Sequence, residues 1–269
     1  MVIDLEKCTG CQACTTVCAM ENNRLPGEQW QDVVFFTEGT YPSVQLKWFP
    51  RPCMHCENPS CVKVCPTGAT YKTSDGVVLV DWNKCIGCKY CMIACPYGVR
   101  FYTDEKPLAG PDPRKVFPSN DEHSWGPPWR RPQWKEDWKR GVGVQPRGVV
   151  SKCNFCYHRI SKARPGKANF DPSDPGQREY TPACVVTCAP TARYFGDLDN
   201  PDSEVSKMIA NKDGVRLLDQ LGNKPQVYYL TGSGGAVPSN RALLGNKPQV
   251  YYLTGSGGAV PSNRAIKKT

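Results

Sequence analysis

Long apolar stretches are missing from this sequence. No run approaches the roughly 20 apolar residues that cross a bilayer, so we expect no direct membrane span and any membrane attachment to depend on a partner. An export signal is missing too, because the first residues, MVIDLEKC, hold neither a basic segment followed by an apolar one nor a twin arginine. We therefore expect this chain to carry no export address of its own.

Motifs for substrate chemistry are also missing. The sequence has no glycine-rich nucleotide fingerprint between a strand and a helix, no H-E-x-x-H and no nucleophile elbow. The two GSGG stretches, at 232–235 and 255–258, lie in polar sequence and match a phosphate-binding loop only weakly. These absences predict a protein with no catalytic site of its own.

Cysteine, in contrast, is abundant: there are sixteen in 269 residues. A chain this long can bury a core without disulfides, so metal binding is favoured over cross-linking. The runs CTGCQACTTVC and CIGCKYCMIAC share the spacing of bacterial ferredoxins, in which three thiolates hold one cluster and the fourth ligates a second. CMHCENPSCVKVC is a longer variant, and CNFC with CVVTC forms a split fourth group.

Zinc and disulfides are the competing interpretations. Zinc sites usually pair two C-x2-C knuckles across a longer spacer, whereas here three ligands crowd into about seven residues. Pro66 and Pro96 directly follow the last cysteine of two groups, as in the ferredoxin run, where the proline turns the chain away after the ligating helix. Iron–sulfur clusters are the favoured interpretation.

The formal charge of +9 permits an anionic partner, such as nucleic acid, an acidic membrane surface or an acidic protein face. Clusters held by four thiolates carry net negative charge, and we favour the interpretation that the basic residues partly offset it.

The sequence resembles the four-cluster electron-transfer subunits of molybdenum or tungsten bis-pterin oxidoreductases. This family includes the iron–sulfur subunits of polysulfide, thiosulfate, tetrathionate, arsenate and dimethyl sulfoxide reductases. The resemblance covers most of residues 1–230 and rests on the cysteines, on PCMHCENPSCVKVCPTGA and CPYGVR, and on the later FGDLDNPDSEVS and LGNKPQVYY. TEGTYPSV, followed by the CMHC run, looks most like the arsenate and sulfur-compound reductases.

In that family the first cysteine group pairs with the last and the two middle groups pair with each other, which implies four ligand sets and four [4Fe-4S] clusters here. The implied sets are cluster A, Cys8, Cys11, Cys14 and Cys188; cluster B, Cys18, Cys153, Cys156 and Cys184; cluster C, Cys53, Cys56, Cys61 and Cys95; and cluster D, Cys65, Cys85, Cys88 and Cys91.

The predicted fold is α+β, with two nested modules like bacterial ferredoxins. VVFF at 33–36 and VVLV at 77–80 indicate short strands, and CMIAC a loop that leads into one or two helical turns. The predicted divisions are an outer module at 1–49 and 149–197, an inner module at 50–103, an insertion at 104–148 and a C-terminal extension at 198–269.

The insertion is rich in proline, tryptophan and arginine. Trp and Arg anchor binding surfaces, so we expect either a docking loop or a loop folded back onto its own modules. Nucleic-acid binding is disfavoured because no recognised nucleic-acid fold motif accompanies it. The insertion holds Trp125, Trp129, Trp134 and Trp138, with Arg130, Arg131, Lys139 and Arg140.

The C-terminal extension contains an identical 22-residue duplication, LGNKPQVYYLTGSGGAVPSNRA, at 221–242 and 244–265. Architectural repeats drift in sequence and need about three copies to bury a core. Only the first copy belongs to the family resemblance, and we expect the second to be a flexible extension.

Three side chains near the cysteines are candidates for tuning cluster potentials: His55, His158 and Lys89. Hydrogen bonds and positive charge near a cluster raise its reduction potential. The alternative is that they are ordinary exposed or packed residues.

The resemblance implies an electron-transfer subunit that relays single electrons between a molybdenum or tungsten bis-pterin catalytic subunit and a quinone-reactive integral-membrane anchor or other redox partner. The implied metabolism is the respiration of arsenic or sulfur compounds. A self-contained soluble polyferredoxin is the alternative. We expect a peripheral place on a membrane complex, at the periplasmic face through co-export with a partner, with a cytoplasmic location as the alternative.

Overall fold

The structure, a computed structural model, describes residues 1–24, 28–38, 40–103, 139–141, 145–162, 178–212 and 214–232. Short helices and short strands alternate over these ranges, which confirms the predicted α+β class. The four tryptophans of the predicted docking loop and the second copy of the repeat lie outside the described residues. Over the described ranges, no helix has the length and apolar character needed to traverse a bilayer.

The helices are short, and the first five lie within or next to a cysteine group. They are α1, Ala13–Glu21; α2, Ser60–Lys63; α3, Tyr90–Ile93; α4, Tyr157–Ile160; α5, Ala183–Val186; and α6, Glu204–Asn211. In α6 the hydroxyl of Ser203 caps the helix by accepting from the backbone N–H of Ser206 at 3.3 Å. The single helical turn at CMIAC is confirmed as α3.

The strands are also short. They are β1, Val2–Asp4; β2, Asp32–Glu38; β3, Gln45–Arg51; β4, Thr70–Lys72; β5, Val78–Val80; β6, Phe101–Tyr102; β7, Val150–Ser151; β8, Arg193–Tyr194; β9, Val215–Arg216; and β10, Tyr228–Leu230. Both strands predicted from β-branched runs are confirmed, as β2 and β5. β2 pairs antiparallel with β3, β4 with β5, and β6 with β7.

A four-stranded sheet joins the N-terminus to the distal part of the described chain. Its order is β8-β1-β10-β9. β1 runs parallel to β10, with Val2 opposite Tyr228, and antiparallel to β8, with Val2 opposite Tyr194. Residues 198–232, the described part of the predicted extension, therefore contribute two strands and α6 to the folded body.

The core packs this sheet against the β2–β3 hairpin. The rings of Phe49 and Tyr229 stack with centroids 4.4 Å apart, and the Tyr229 hydroxyl donates to the carbonyl of Pro50 at 3.0 Å. Trp30, which is also buried, donates from Nε1 to the hydroxyl of Ser151 at 2.9 Å. Burying each large side chain contributes about 1.5–3 kcal/mol, so these contacts hold in place the loops that carry the cysteines.

Candidate metal centres

The two ferredoxin-spaced runs adopt the same backbone conformation at equivalent positions. Gly10 and Gly87 both have φ of +69°, and the residues two positions later, Gln12 and Lys89, have φ of 58° and 63°. A Cβ at Gly10 would lie 2.1 Å from the ring of Trp48. Each run therefore forms a tight loop that leads into a helix, and the third cysteine of the run lies in the first turn of that helix.

The first run and the last cysteine of the chain border one cavity. It is lined by Cys8, Cys11, Cys14 and Cys188, together with Arg193. Cys8 follows β1 and Cys188 precedes β8, and these two strands are neighbours in the sheet. The cysteines that meet here are those implied for cluster A.

A second cavity is lined mainly by residues from the middle of the sequence. Its lining includes Cys53, Cys56, Cys61 and Cys95, together with Arg100. Helix α2, which carries Cys61, contacts α3, which leads to Cys95. The cysteines that meet here are those implied for cluster C.

Four further cysteines are grouped in the interior. Burial raises the pKa of Cys18, and the neighbouring sulfurs of Cys153, Cys156 and Cys184 raise it further. All four are buried. Helices α1 and α5, which carry Cys18 and Cys184, pack against each other. This group is the one implied for cluster B.

The remaining group is nearer the surface. Burial raises the pKa of Cys91, whose neighbours include Cys85. Backbone N–H groups point at two sulfurs of the group: Thr70 donates to Cys65 at 3.4 Å and Val150 to Cys85 at 3.5 Å. These residues belong to the set implied for cluster D.

The chemistry of these thiols suits cluster ligation. Burial raises the pKa of both Cys56 and Cys156 to about 12. A bound metal ion deprotonates a coordinating thiol outright, so iron compensates the cost of burying the thiolate. In the described part of the chain no three His, Cys, Asp or Glu residues lie close enough to share a single metal ion. Four thiols spread around a cavity fit the donor set of a four-iron centre.

Exposure divides the cysteines into two surface groups and an interior. Only Cys11 and Cys88 are exposed among the sixteen, all of which are described. Cys11 belongs to the first cavity and Cys88 to the group of Cys85 and Cys91. Exposed cysteines thus occur in the groups implied for clusters A and D, whereas all four cysteines of the group implied for cluster B are buried.

Comparison with known proteins identifies the family. A family model described as a 4Fe-4S dicluster domain matches residues 44–109. The chain is 40% identical over 237 residues to a selenate reductase subunit of Mesobacillus selenatarsenatis, covering 86% of this chain and 71% of the relative. It is 35% identical over 244 residues to the arsenate respiratory reductase iron-sulfur subunit ArrB of Shewanella sp. strain ANA-3, covering 87% and 96%. It is 38% identical over 249 residues to the menaquinone reductase iron-sulfur cluster-binding subunit of Nitratidesulfovibrio vulgaris, covering 86% and 88%.

The chain belongs to the iron–sulfur subunits of molybdoenzyme reductases. As a member of this family it binds [4Fe-4S] clusters and transfers electrons, and it has no catalytic site of its own. The predictions of family, electron transfer and a non-catalytic role are confirmed, and the self-contained carrier is not favoured.

Among the candidate tuning residues of this iron–sulfur subunit, His55 lies deepest. Its side chain is 1% exposed, its Nδ1 accepts from the backbone N–H of Val78 at 3.1 Å, and its ring stacks on Phe155 with centroids 3.7 Å apart. Burial, and then the charge of Lys152, lowers the pKa of His55 well below its usual value, so the ring is neutral. Its Nε2 has no hydrogen-bond partner and belongs to a residue that lines the second cavity.

The other two candidates make contacts away from the sulfurs. The Nε2 of His158 lies 2.7 Å from the carboxylate of Glu21. The Nζ of Lys89 lies over the ring of Tyr102, 3.9 Å from its centroid. A role of His158 and Lys89 in tuning stays a prediction.

The sequence analysis missed several polar groups that contact the sulfurs. The side-chain amide of Asn22 donates to Cys18 at 3.6 Å and to Cys156 at 3.8 Å. That of Gln31 lies 3.9 Å from the sulfur of Cys153. The two arginines that line the cavities were missed as well, although Arg100 and Arg193 each follow the last cysteine of a group by five residues.

Proposed function

We propose that the subunit relays single electrons along four [4Fe-4S] clusters in the order A, B, C, D, held by the four ligand sets given above. When bound, each cluster supplies one-electron redox chemistry. The polypeptide fixes the order of the centres, excludes water from the middle of the path, and brings the two ends to the surface.

The observation that carries this proposal is the pattern of exposure and neighbours among the cysteines. The sets at the two ends contain the two exposed sulfurs, Cys11 and Cys88, and every member of set B is buried. Sets B and C are also close enough to interact. Burial raises the pKa of Cys153, of set B, and the sulfur of Cys53, of set C, raises it further. Electrons would thus enter and leave through the two sets that contain an exposed cysteine.

The nested arrangement of the two modules is part of the proposal. Helix α1 packs on α5, which joins the first and last cysteine groups, and α2 contacts α3, which joins the middle groups. The dicluster match at 44–109 spans the eight cysteines of the proposed inner module at 50–103. Residues His55 and Phe155, each the third residue of a C-x-x-C, stack where the two modules would meet.

The proposed partners are a molybdenum or tungsten bis-pterin catalytic subunit at one end and a quinone-reactive membrane anchor at the other. Relatives named as subunits of selenate, arsenate and menaquinone reductases support an assembly of this kind. We retain arsenic or sulfur compounds as the proposed substrates of the complex. A peripheral place on a membrane complex follows, at the periplasmic face by co-export, with a cytoplasmic location as the alternative.

Iron analysis with single cysteine substitutions tests the proposal. The anaerobically purified complex should contain about sixteen irons per copy of this subunit, as four centres require. Because the fourth cysteine of each run crosses to the partner cluster, Cys18→Ser should remove the same EPR signal as Cys153→Ser. Cys8→Ser is the matched control and should remove a different signal.

Two results would contradict the proposal. If Cys18→Ser and Cys8→Ser removed the same signal, the crossed ligand sets would be wrong. A colourless subunit with stoichiometric zinc would contradict iron–sulfur clusters altogether.

A further inference from the structure

Two arginines occupy equivalent, buried positions in the two proposed modules. Arg100 follows Cys95 by five residues and is 4% exposed; Arg193 follows Cys188 by five residues and is 2% exposed. Both line a cavity that four cysteines surround. Buried arginine is uncommon unless it is paired.

Arg193 reaches sulfurs of two different ligand sets. Its Nη2 donates to Cys14, of set A, at 3.4 Å, and its Nη1 lies 3.9 Å from Cys184, of set B. Each of these cysteines is the third of its group. A guanidinium has five N–H donors in a fixed fork, which allows one side chain to serve two acceptors in different directions.

Arg100 has the matching surroundings in the other module. Its Nη1 donates to the hydroxyl of Thr70 at 3.4 Å, and its side chain also interacts with Cys91, of set D. It lines the same cavity as Cys61, of set C. Cys61 and Cys91 are again the third cysteines of their groups.

Among the described residues, no carboxylate forms a salt bridge with either guanidinium. A guanidinium stays protonated in proteins, and a buried charge without a counter-charge is strongly destabilising. The anionic groups that these two side chains face are cysteine sulfurs, which become thiolates when they ligate iron.

We propose that Arg193 and Arg100 are shared counter-cations, each held between the two clusters of one module, and that each raises the reduction potential of both of its clusters. This inference rests on the ligand sets of the proposed function. Adding one electron to a cluster adds one negative charge, so a fixed cation beside the sulfurs stabilises the reduced form more than the oxidised form. Because the fork reaches both sets, its removal acts on two clusters at once and on no others.

A redox titration of the whole complex, followed by EPR, tests the inference. In Arg193→Gln the clusters of sets A and B should each become harder to reduce, by at least tenfold in the ratio of reduced to oxidised form at a fixed potential, which is about 59 mV for one electron. Sets C and D should stay at their wild-type midpoints. In Arg100→Gln the clusters of sets C and D should become harder to reduce, and those of sets A and B should keep their wild-type midpoints. Lys207→Gln removes an exposed cation paired with Asp202 and should shift the midpoint of no cluster.

Arg193→Lys separates tuning from folding. A single ammonium keeps the charge but cannot reach both sulfurs. The midpoint reduction potential of one of the two clusters of sets A and B should therefore fall, while that of the other stays at its wild-type value. If Arg193→Gln fails to assemble, this variant alone decides. Unchanged midpoints in Arg193→Lys and Arg100→Lys, or equal shifts of all four clusters, would overturn the inference. A wild-type complex with far fewer than about sixteen irons would instead refute the proposed function.

Discussion

Replacing Gly10 by alanine probes the tightest packing around a proposed cluster. The residue has φ of +69°, and an added Cβ would lie 2.1 Å from Cδ2 and 2.3 Å from Cε2 of Trp48. The ring belongs to β3 and meets Phe35 edge-on, with centroids 5.9 Å apart, so the ring or the strand that carries it must shift. We expect a cost of about 1–2 kcal/mol for the left-handed backbone and about 1–3 kcal/mol more for overpacking.

Gly98→Ala is the matched control, because Gly98 has φ of +61° with nothing within 4 Å of an added Cβ. For a chain of this size 1 kcal/mol corresponds to about 2–4 °C in Tm. Gly98→Ala should therefore lower Tm by about 2–8 °C, and Gly10→Ala by a further 2–12 °C or so. The assay is anaerobic thermal unfolding of the complex, followed by the loss of visible cluster absorbance. Equal losses in both variants would refute the reasoning that the Trp48 ring packs directly against Gly10.

Three further outcomes are expected. A hydrogen bond from His158, and the charge of Arg159, lower the pKa of Glu21. The ionised Glu21 carboxylate therefore stabilises the fold above its ordinary pKa of 4.5, and this stabilisation is lost as pH falls through the lowered pKa. The stability difference between wild type and Glu21→Gln, measured by urea unfolding, should thus shrink between about pH 5 and pH 3; a constant difference would contradict this. Trp30→Phe deletes the hydrogen-bond donor to Ser151 and part of the ring that stacks under Arg24, whose guanidinium carbon lies 3.9 Å from the Trp30 ring centroid. The substitution should lower the free energy of unfolding by about 1–3 kcal/mol. An unchanged free energy of unfolding would contradict the packing described. A chain that ends at residue 243 keeps β10 and should retain the iron content and Tm of the full chain, whereas one that ends at residue 226 lacks β10 and should lose iron; equal iron in the two would contradict the role of β10.

The cysteine groups could be found from the sequence because ligation imposes local spacing. In the three compact groups, three cysteines lie within a few residues of one another, and the glycine of the tight loops at Gly10 and Gly87 is local as well. The strands β2 and β5 were visible for a similar reason, since each is a short β-branched or aromatic run. Family, fold class and electron transfer therefore followed from short motifs.

The contacts of the charged residues could not be predicted in the same way. Arg193 meets Cys14 across 179 positions of the chain, and His158 meets Glu21 across 137. Lys89 was a candidate for a cluster contact because it lies between two cysteines, but its side chain turns to Tyr102. The sequence shows that Arg100 and Arg193 each follow the last cysteine of a group by five residues. It does not show which distant sulfurs the fold brings near them.

The central position of β1 in its sheet has a consequence for biosynthesis. β1 is made first, yet its neighbours are β8, at 193–194, and β10, at 228–230. While the ribosome is still translating the middle of the chain, β1, which Cys8 follows, has neither of its neighbouring strands to pair with. The backbone hydrogen bonds of β1 can therefore form only after nearly all of the described residues have emerged.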